Sequence, residues 1–448
     1  MALAKNFGTT GDGQTDDTLA LQHAIDDGDG LVELSRGTYR ITKTLRIDLT
    51  KQGFRGISGH NGTARIVMTA PGPALHVIGD HQGTAAPQSF RPHTWEKERF
   101  PVLSGFEIVG QHEQADGIRL QKTMQCTIHA VLIRRCRYGI HLVERNRNFL
   151  LANSHIYHGR AIGVFFDAVN LHQINIIGNH ISYNPVAGIK LLGGEVRDLQ
   201  ITGNDIEYND DHPDGSADLW IDTSQQNATM RELTVTGNTI QGHPAPNGAN
   251  IRIVGQPCDA ADRSGLAAIT GNLIGSQTTN IHLKHTRGIV ISGNAIYSGA
   301  QLSIHAQHCR HVVVGANTFD HNPGQRDQYL DGIRFENCAD CSVTGAVLED
   351  ARYPDGALSM KHCTDCAVTG CQILDPEHAG LTLTDCSRCR VSDNAILDRR
   401  TPPRMKSAIR LTGNSAKNLV QNNMIQPGTL AAVAAKPDAA TQQGNMIL

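Results

Sequence analysis

Ile176-Ile177-Gly178-Asn179-His180-Ile181 returns as Ile201-Thr202-Gly203-Asn204-Asp205-Ile206, then as Val235-Thr236-Gly237-Asn238-Thr239-Ile240. Two further copies are Ile269-Thr270-Gly271-Asn272-Leu273-Ile274 and Ile291-Ser292-Gly293-Asn294-Ala295-Ile296. The asparagines of successive copies lie 25, 34, 34 and 22 residues apart, and a second apolar segment sits between each pair: Gly188-Ile189-Lys190-Leu191, Asp218-Leu219-Trp220-Ile221, Asn250-Ile251-Arg252-Ile253 and Asn280-Ile281-His282-Leu283. A unit of that length, made of short strands without a helix, predicts a solenoid whose coils share one core.

The composition agrees. Aromatics make up 4% of the 448 residues against 45 glycines, which suits tight turns between short β-branched strands. The net charge is -3 with acids and bases interspersed, so a nucleic-acid partner is not expected. No apolar run approaches a membrane span. The start, Met1-Ala2-Leu3-Ala4-Lys5-Asn6-Phe7-Gly8, lacks an apolar signal core, which leaves a cytoplasmic chain and a secreted one without its leader equally open. Eleven cysteines is an odd number, and several recur at coil spacing, which favours buried thiols over a disulfide framework.

Ahead of the repeats, Asn6-Phe7-Gly8-Thr9-Thr10-Gly11-Asp12-Gly13-Gln14-Thr15-Asp16-Asp17-Thr18 precedes Leu19-Ala20-Leu21-Gln22-His23-Ala24-Ile25. Thr15 reads as a helix N-cap, Asp16 and Asp17 as first-turn acids, Leu21 and Ile25 as the apolar stripe, and Gly28 and Gly30 as the stop. Phe7-Gly8, Gly11-Asp12-Gly13, Thr15 to Thr18 and Gly37-Thr38-Tyr39 together resemble the N-terminal cap of the pectate-lyase-like, right-handed parallel β-helix superfamily. That resemblance implies an all-β right-handed parallel β-helix with an N-terminal capping helix, and a carbohydrate-directed activity. The organisation expected is a cap over residues 1–45, coils over 46–426 and a tail over 427–448, as one continuous domain. His60 to Thr63 and Thr84 to Trp95 read as loops, and the pattern fades from Pro427.

Glycine permits the bend in each Gly-Asn pair, and the asparagine amide can bond to its equivalent in the next coil, so these columns read as scaffold. Cys338 and Cys341, Cys363 and Cys366, and Cys386 and Cys389 recur in phase; stacked small thiols account for them as well as a zinc site would. Cys338-Ala339-Asp340-Cys341-Ser342-Val343-Thr344, with Tyr353-Pro354 and Cys363, is similar to a segment of the inulin fructotransferase family. This implies a trimeric β-helical transglycosylase acting on fructan. The acidic position that family would carry between Asn179 and Glu207 is Ala187 here. Asp375-Pro376-Glu377-His378 is similar to the Asp-Pro-His-Glu of mannuronan epimerases with the last two residues exchanged.

In each Gly-Ile-x-Leu-x strand the Ile and Leu point inward and the x positions outward. One outward column reads Arg119, His141, Phe165, Lys190, Trp220, Arg252, His282, Ser303, Arg334. Its companion reads Gln121, Val143, Asp167, Leu192, Asp222, Val254, Lys284, His305, Glu336. A tryptophan among basic residues and isolated acids suits a saccharide, with Trp220, Lys190, Arg334 and Glu336 as binding residues. Uronate elimination needs a base and a cation, typically Ca²⁺. Arg252, His282 and Lys284 are candidates for the first, Asp214 and Asp218 for ligands of the second. Glycoside hydrolysis needs two carboxyls, for which Asp167 and Asp222 are candidates, two coils or roughly 10 Å apart. The loop Glu207 to Asp218 is the most acidic insertion and is expected to wall the groove. The expected function is therefore cleavage of a polysaccharide or oligosaccharide by a hydrolase or lyase. The alternatives are a fructan transglycosylase and a non-catalytic glycan-binding or structural β-helix.

Overall fold

A glycine in the left-handed region followed by a buried asparagine closes each coil. Gly178 and Gly203 have φ of 66° and 63°, and Gly237, Gly271 and Gly293 have 66°, 66° and 69°. At Gly203, Gly237 and Gly271 a Cβ would meet nothing within 4 Å, so the positive φ rather than lack of room selects glycine there. The asparagine amides run from coil to coil as expected. Asn179 Nδ2 donates to Asn204 Oδ1 at 2.9 Å, and Asn238, Asn272 and Asn294 each donate to the next asparagine, ending at Asn317, also at 2.9 Å. The Nδ2 groups of Asn179, Asn272 and Asn294 also reach back to a backbone carbonyl, as from Asn272 to Val235 at 2.9 Å, which satisfies both amide hydrogens.

The computed structural model describes residues 2–83, 86–257 and 264–448. Thr84 and Ala85 of the expected loop lie outside the described residues; the rest of that segment contains two short helical turns, Pro87–Ser89 and Thr94–Glu98. The protein is a right-handed parallel β-helix. It comprises two compact units, Met1–His212 with Ser216–Thr234, and Pro213–Gly215 with Val235–Leu448. No helix among the described residues is long and apolar enough to cross a membrane.

In the first unit Ile118, Ile140, Val164, Ile189 and Leu219 stack in register, with Leu120, Leu142, Phe166, Leu191 and Ile221 beside them. All ten are at most 1% exposed. Each such side chain contributes on the order of 1.5–3 kcal/mol through burial. In the second unit the equivalent column is Ile251, Ile281, Ile304, Ile333, Leu358, Leu381 and Ile409. The strands pair in parallel throughout, as coils of one sense require.

Three sequence expectations need correction. The capping helix begins at Thr18 and runs to Asp27, while Asp12–Asp16 is a strand. Asp17 is the N-cap without a side-chain capping bond, because its carboxylate accepts from the backbone of Thr10 at 2.7 Å and Gly11 at 3.0 Å, tying down the Gly-rich loop. Ser303 and His305 also occupy other places than expected. Ile304, not Leu302, pairs with Ile281, so His305 follows His282 in the first column and Gln307 follows Lys284 in the second. The chain beyond Pro427, finally, keeps coiling: Ala431–Ala434, Ala440–Gln443 and Met446–Ile447 pair with the strands one coil before.

All ten described cysteines are free and buried. In the second unit they take the place of ladder amides: Cys363 Sγ donates to the Phe335 carbonyl at 3.6 Å and Cys386 Sγ to that of Met360 at 3.3 Å, each one coil back. In the first unit burial pushes the Cys126 and Cys136 thiols up to about 12.

Candidate functional site

The outward side chains of the first unit form a strip. Arg119, His141, Phe165, Lys190 and Trp220 are register partners on successive strands, and His76 precedes Arg119. The expectation that this column faces solvent holds only in part, since His141 and Phe165 are buried at 8% and 6% exposure. Phe165 packs with Ile162 and Ala187, and Tyr138, Val186, Leu192 and Trp220 lie partly buried against this group. The burial therefore comes from neighbouring outward side chains, which build an apolar platform on the outside of the coil.

His141 sits in that platform. Its ring stacks on Phe165 with centroids 5.2 Å apart and planes 7° apart, and Tyr138 lies 4.9 Å away. Its Nε2 is 3.0 Å from Asp167 Oδ2. Burial lowers the His141 pKa below the ordinary imidazole value, and the Asp167 hydrogen bond offsets only part of this. The imidazole is thus neutral near pH 7 and held by a carboxylate, which is the condition for a proton acceptor. Burial raises the Tyr138 phenol, leaving it protonated. Arg137 binds Asp116 through two hydrogen bonds of 2.9 and 2.8 Å and lays its guanidinium 4.5 Å from the Tyr138 ring centre. Lys190 Nζ lies 3.8 Å from the centre of the Trp220 ring, a cation–π contact on the open side of the strip. Asp222 pairs with Leu192, which itself pairs with Asp167, so Asp222 lies two coils beyond Asp167; it accepts from the backbone and hydroxyl of Ser224 at 3.0 and 2.6 Å.

Asp218 is placed otherwise than a surface metal ligand. It is 1% exposed, and its Oδ1 accepts from the backbone N and Nδ2 of Asn209 at 3.2 and 3.0 Å. It continues a second ladder that starts at Asn184, whose Nδ2 donates to Asn209 Oδ1 at 2.9 Å. Asp214, in the second unit, is exposed.

The outward strip of the second unit is a closed network. His282 and His305 stack at 5.4 Å, and His282 Nε2 is 3.3 Å from Gln307 Oε1. Gln307 Nε2 and His305 Nε2 reach Glu336 Oε2 at 2.8 and 3.1 Å, while Arg334 donates twice to Glu336 Oε1 at 2.9 and 2.6 Å. Burial works against the Glu336 carboxylate, but Arg334, Gln307 and His305 hold its pKa down at about 2. Burial takes His282 down to about 4. Lys284 is the register partner of Gln307, and Arg252, the partner of His282, bonds to the Asn247 carbonyl. Arg334 also donates to the Tyr353 hydroxyl at 3.0 Å.

Of the residues expected from sequence, the structure joins Asp167 to His141, Lys190 to Trp220, and Arg334 to Glu336. Tyr138 and the bonding of His141 to Asp167 were not foreseen. The available signal was His141 and Asp167 on adjacent coils in neighbouring outward columns; Tyr138 lies outside both, as the register partner of Ile162.

Two family models match parts of the chain: "Right handed beta helix region" over residues 104–274 and "Periplasmic copper-binding protein (NosD)" over residues 232–436. The matches agree with the β-helix described above and are consistent with the pectate-lyase-like superfamily. No curated protein matches the chain. Similar solved structures include the A-module of a mannuronan C-5 epimerase from Azotobacter vinelandii, 15% identical, with 100% of this chain and 99% of that one covered and a TM-score of 0.40. Tailspike protein 3 of bacteriophage CBA120 is 13% identical over 100% of this chain and 61% of its own, at 0.45. The tailspike gp49 of Pseudomonas phage LKA1 is 11% identical over 99% and 82%, at 0.46.

Proposed function

We infer that the protein acts on an acidic polysaccharide, removing a sugar C–H proton next to a uronate carboxylate so that the chain is cleaved by elimination. The observation that carries this reading is the His141–Asp167 dyad set into an aromatic platform between cations. His141, neutral through burial, takes the proton; Asp167 orients its ring and stabilises the imidazolium that forms. Arg119 and Lys190, on either side of His141 in the column, neutralise the substrate carboxylate, which acidifies the proton to be removed. Trp220 offers a face to a sugar ring, and Tyr138, protonated and beside His141, is the candidate acid for the leaving oxygen. Hydrolysis is less well served. Asp167 and Asp222 stand two coils apart, roughly 10 Å, beyond the spacing of an inverting pair.

The test is a panel of uronic-acid polymers and neutral glycans, read by ultraviolet absorbance for unsaturated uronate and by product mass. Unsaturated products that vanish in His141→Ala support elimination. Saturated products turn the reading to hydrolysis, and a wild-type protein inert on every glycan removes the enzymatic reading. Binding without turnover in that panel leaves a glycan-binding β-helix, which the closed ion-pair network of the second unit would also suit.

A further inference from the structure

The first unit carries a group of side chains that the glycan reading does not use. Asp80 follows the strand Gly72–Ile78, His93 caps the start of the helical turn Thr94–Glu98, and Glu98 is its last residue. Among the described residues this is the one group of three His, Cys, Asp or Glu side chains whose ligand atoms all lie within 4.8 Å of one another. His93 Nε2 is 2.9 Å from Glu98 Oε1 and 3.3 Å from Asp80 Oδ2. For metal bonds of about 2.1 Å, neighbouring donors stand roughly 3.0 Å apart in an octahedral sphere and 3.4 Å in a tetrahedral one. The two observed edges fall at those values.

Two further observations point the same way. The Glu98 side chain is 1% exposed, and its other oxygen accepts the Asp80 backbone N–H at 2.7 Å, so the carboxylate is fixed with Oε1 turned to His93. Gly79 is held to glycine first by the Lys122 carbonyl, 2.4 Å from where its Cβ would lie, and a Cβ there would also stand 3.0 Å from Glu98 Oε2. A single imidazole N–H cannot serve both carboxylates fully, whereas an Nε2 lone pair on a shared ion engages all three groups.

We propose that Asp80, His93 and Glu98 bind a first-row divalent transition-metal ion of the Zn²⁺ or Mn²⁺ type, which ties residues 80–83 to residues 86–98 beside the first-unit strip. The nitrogen donor selects against Ca²⁺, which takes six or more oxygens. Arg91, on Asp80 Oδ2 at 3.1 Å and half-exposed, competes with the ion and swings away when it binds. The pinned segment already touches the strip's flank: Arg145 donates to the Gly83 carbonyl at 2.5 Å, and the Arg147 guanidinium stands 4.9 Å from the Phe90 ring centre. Metal binding thus fixes that flank without contributing to the chemistry at His141.

The test uses full-length protein stripped with chelator and titrated with Zn²⁺, Mn²⁺ and Ca²⁺ separately. One equivalent of Zn²⁺ is expected, with an X-ray absorption shell of nitrogen and oxygen only. His93→Ala, a half-exposed position, should weaken binding ~10-fold or more, Arg91→Ala should tighten it, and His23→Ala, on the exposed face of the capping helix, should leave it unchanged. Should His93→Ala alter the circular dichroism, Asp80→Asn provides the same reading. Affinity indifferent to His93 and Asp80, sulfur in the shell, or Ca²⁺ bound as tightly as Zn²⁺ would each overturn the site.

Discussion

The two outward strips occupy the same place on their coils and hold similar residue types, yet their charges are spent differently. In the second unit Glu336 is bonded by Arg334, Gln307 and His305, and its pKa falls to about 2. A carboxylate so held neither gives nor takes a proton near neutrality. In the first unit Asp167 is bonded to one partner, His141, and the nearest cations in the column lie one coil to either side of that histidine or of Phe165. Burial rather than a salt bridge sets the protonation of His141. A network that satisfies itself stabilises a surface; a dyad left one bond short of that can act on something else.

The largest expected effect breaks this contrast if it fails. His141→Ala should lower the rate of unsaturated-product formation by about 10²–10⁴-fold, while Glu336→Gln should change it by less than about twofold, measured as initial rates on the best polymer of the panel. Equal losses in both variants would mean that both strips engage the substrate chemically. The pH dependence sharpens the same point. The rate should fall on the acid side as His141 is protonated, with a midpoint below the ordinary 6.5 because burial depresses it. Asp167→Asn should shift that midpoint further down, because the bond that favours the imidazolium is lost.

Stability separates the strips in the opposite sense. The Glu336 pKa lies below its ordinary 4.5, so its contribution is complete above that value and is lost as the pH falls through about 2. His282, depressed from 6.5 to about 4, makes the second unit lose stability between those values, since only the unfolded chain takes up the proton there. Replacing Glu336 by Ala removes the shared acceptor of Arg334, Gln307 and His305, leaving Arg334 its bonds to Tyr353 and Asp355, and should cost about 1–3 kcal/mol at pH 7. Urea unfolding followed at pH 7 and pH 3 should show that penalty shrinking at the lower pH.

The sequence made the coil legible because Gly-Asn is a two-residue signal with one mechanical meaning, repeated every 22 to 34 residues. The lumen columns followed from it except in the coil of Leu302, where Ile304 and Ala306 take the inward places. The site was less legible for a physical reason: its contacts run across coils, so His141 meets Asp167 at a separation set by loop length rather than by any local period. Where a strand lacked the Gly-Ile-x-Leu form, as at Leu302-Ser303-Ile304, the register slipped by two and His305 was placed in the wrong column. Acids at the chain's start misled in another way. Asp16 and Asp17 look like first-turn residues, but the Asp17 carboxylate is committed to the Thr10–Gly11 backbone. The second ladder escaped notice because its rungs fall 25 and then 9 residues apart and end in an aspartate.

That aspartate gives the smallest and most discriminating prediction. A ligand for Ca²⁺ and a ladder rung make opposite demands on Asp218. A ligand needs the negative charge, so Asp218→Asn would abolish binding and any activity that depends on it. A rung needs an oxygen acceptor facing Asn209, which asparagine supplies with the same shape, as it does at Asn204 one ladder away. Asp218→Asn should therefore cost less than about 1 kcal/mol and leave turnover unchanged. Asp218→Ala should cost about 1–3 kcal/mol by removing the acceptor of the buried Asn209 backbone N–H and one of the three acceptors of its Nδ2, which keeps the Ile181 and Glu207 carbonyls. The pair of variants, compared by urea midpoint and by rate with and without added Ca²⁺, separates the two roles: a rung responds to shape, and a ligand responds to charge.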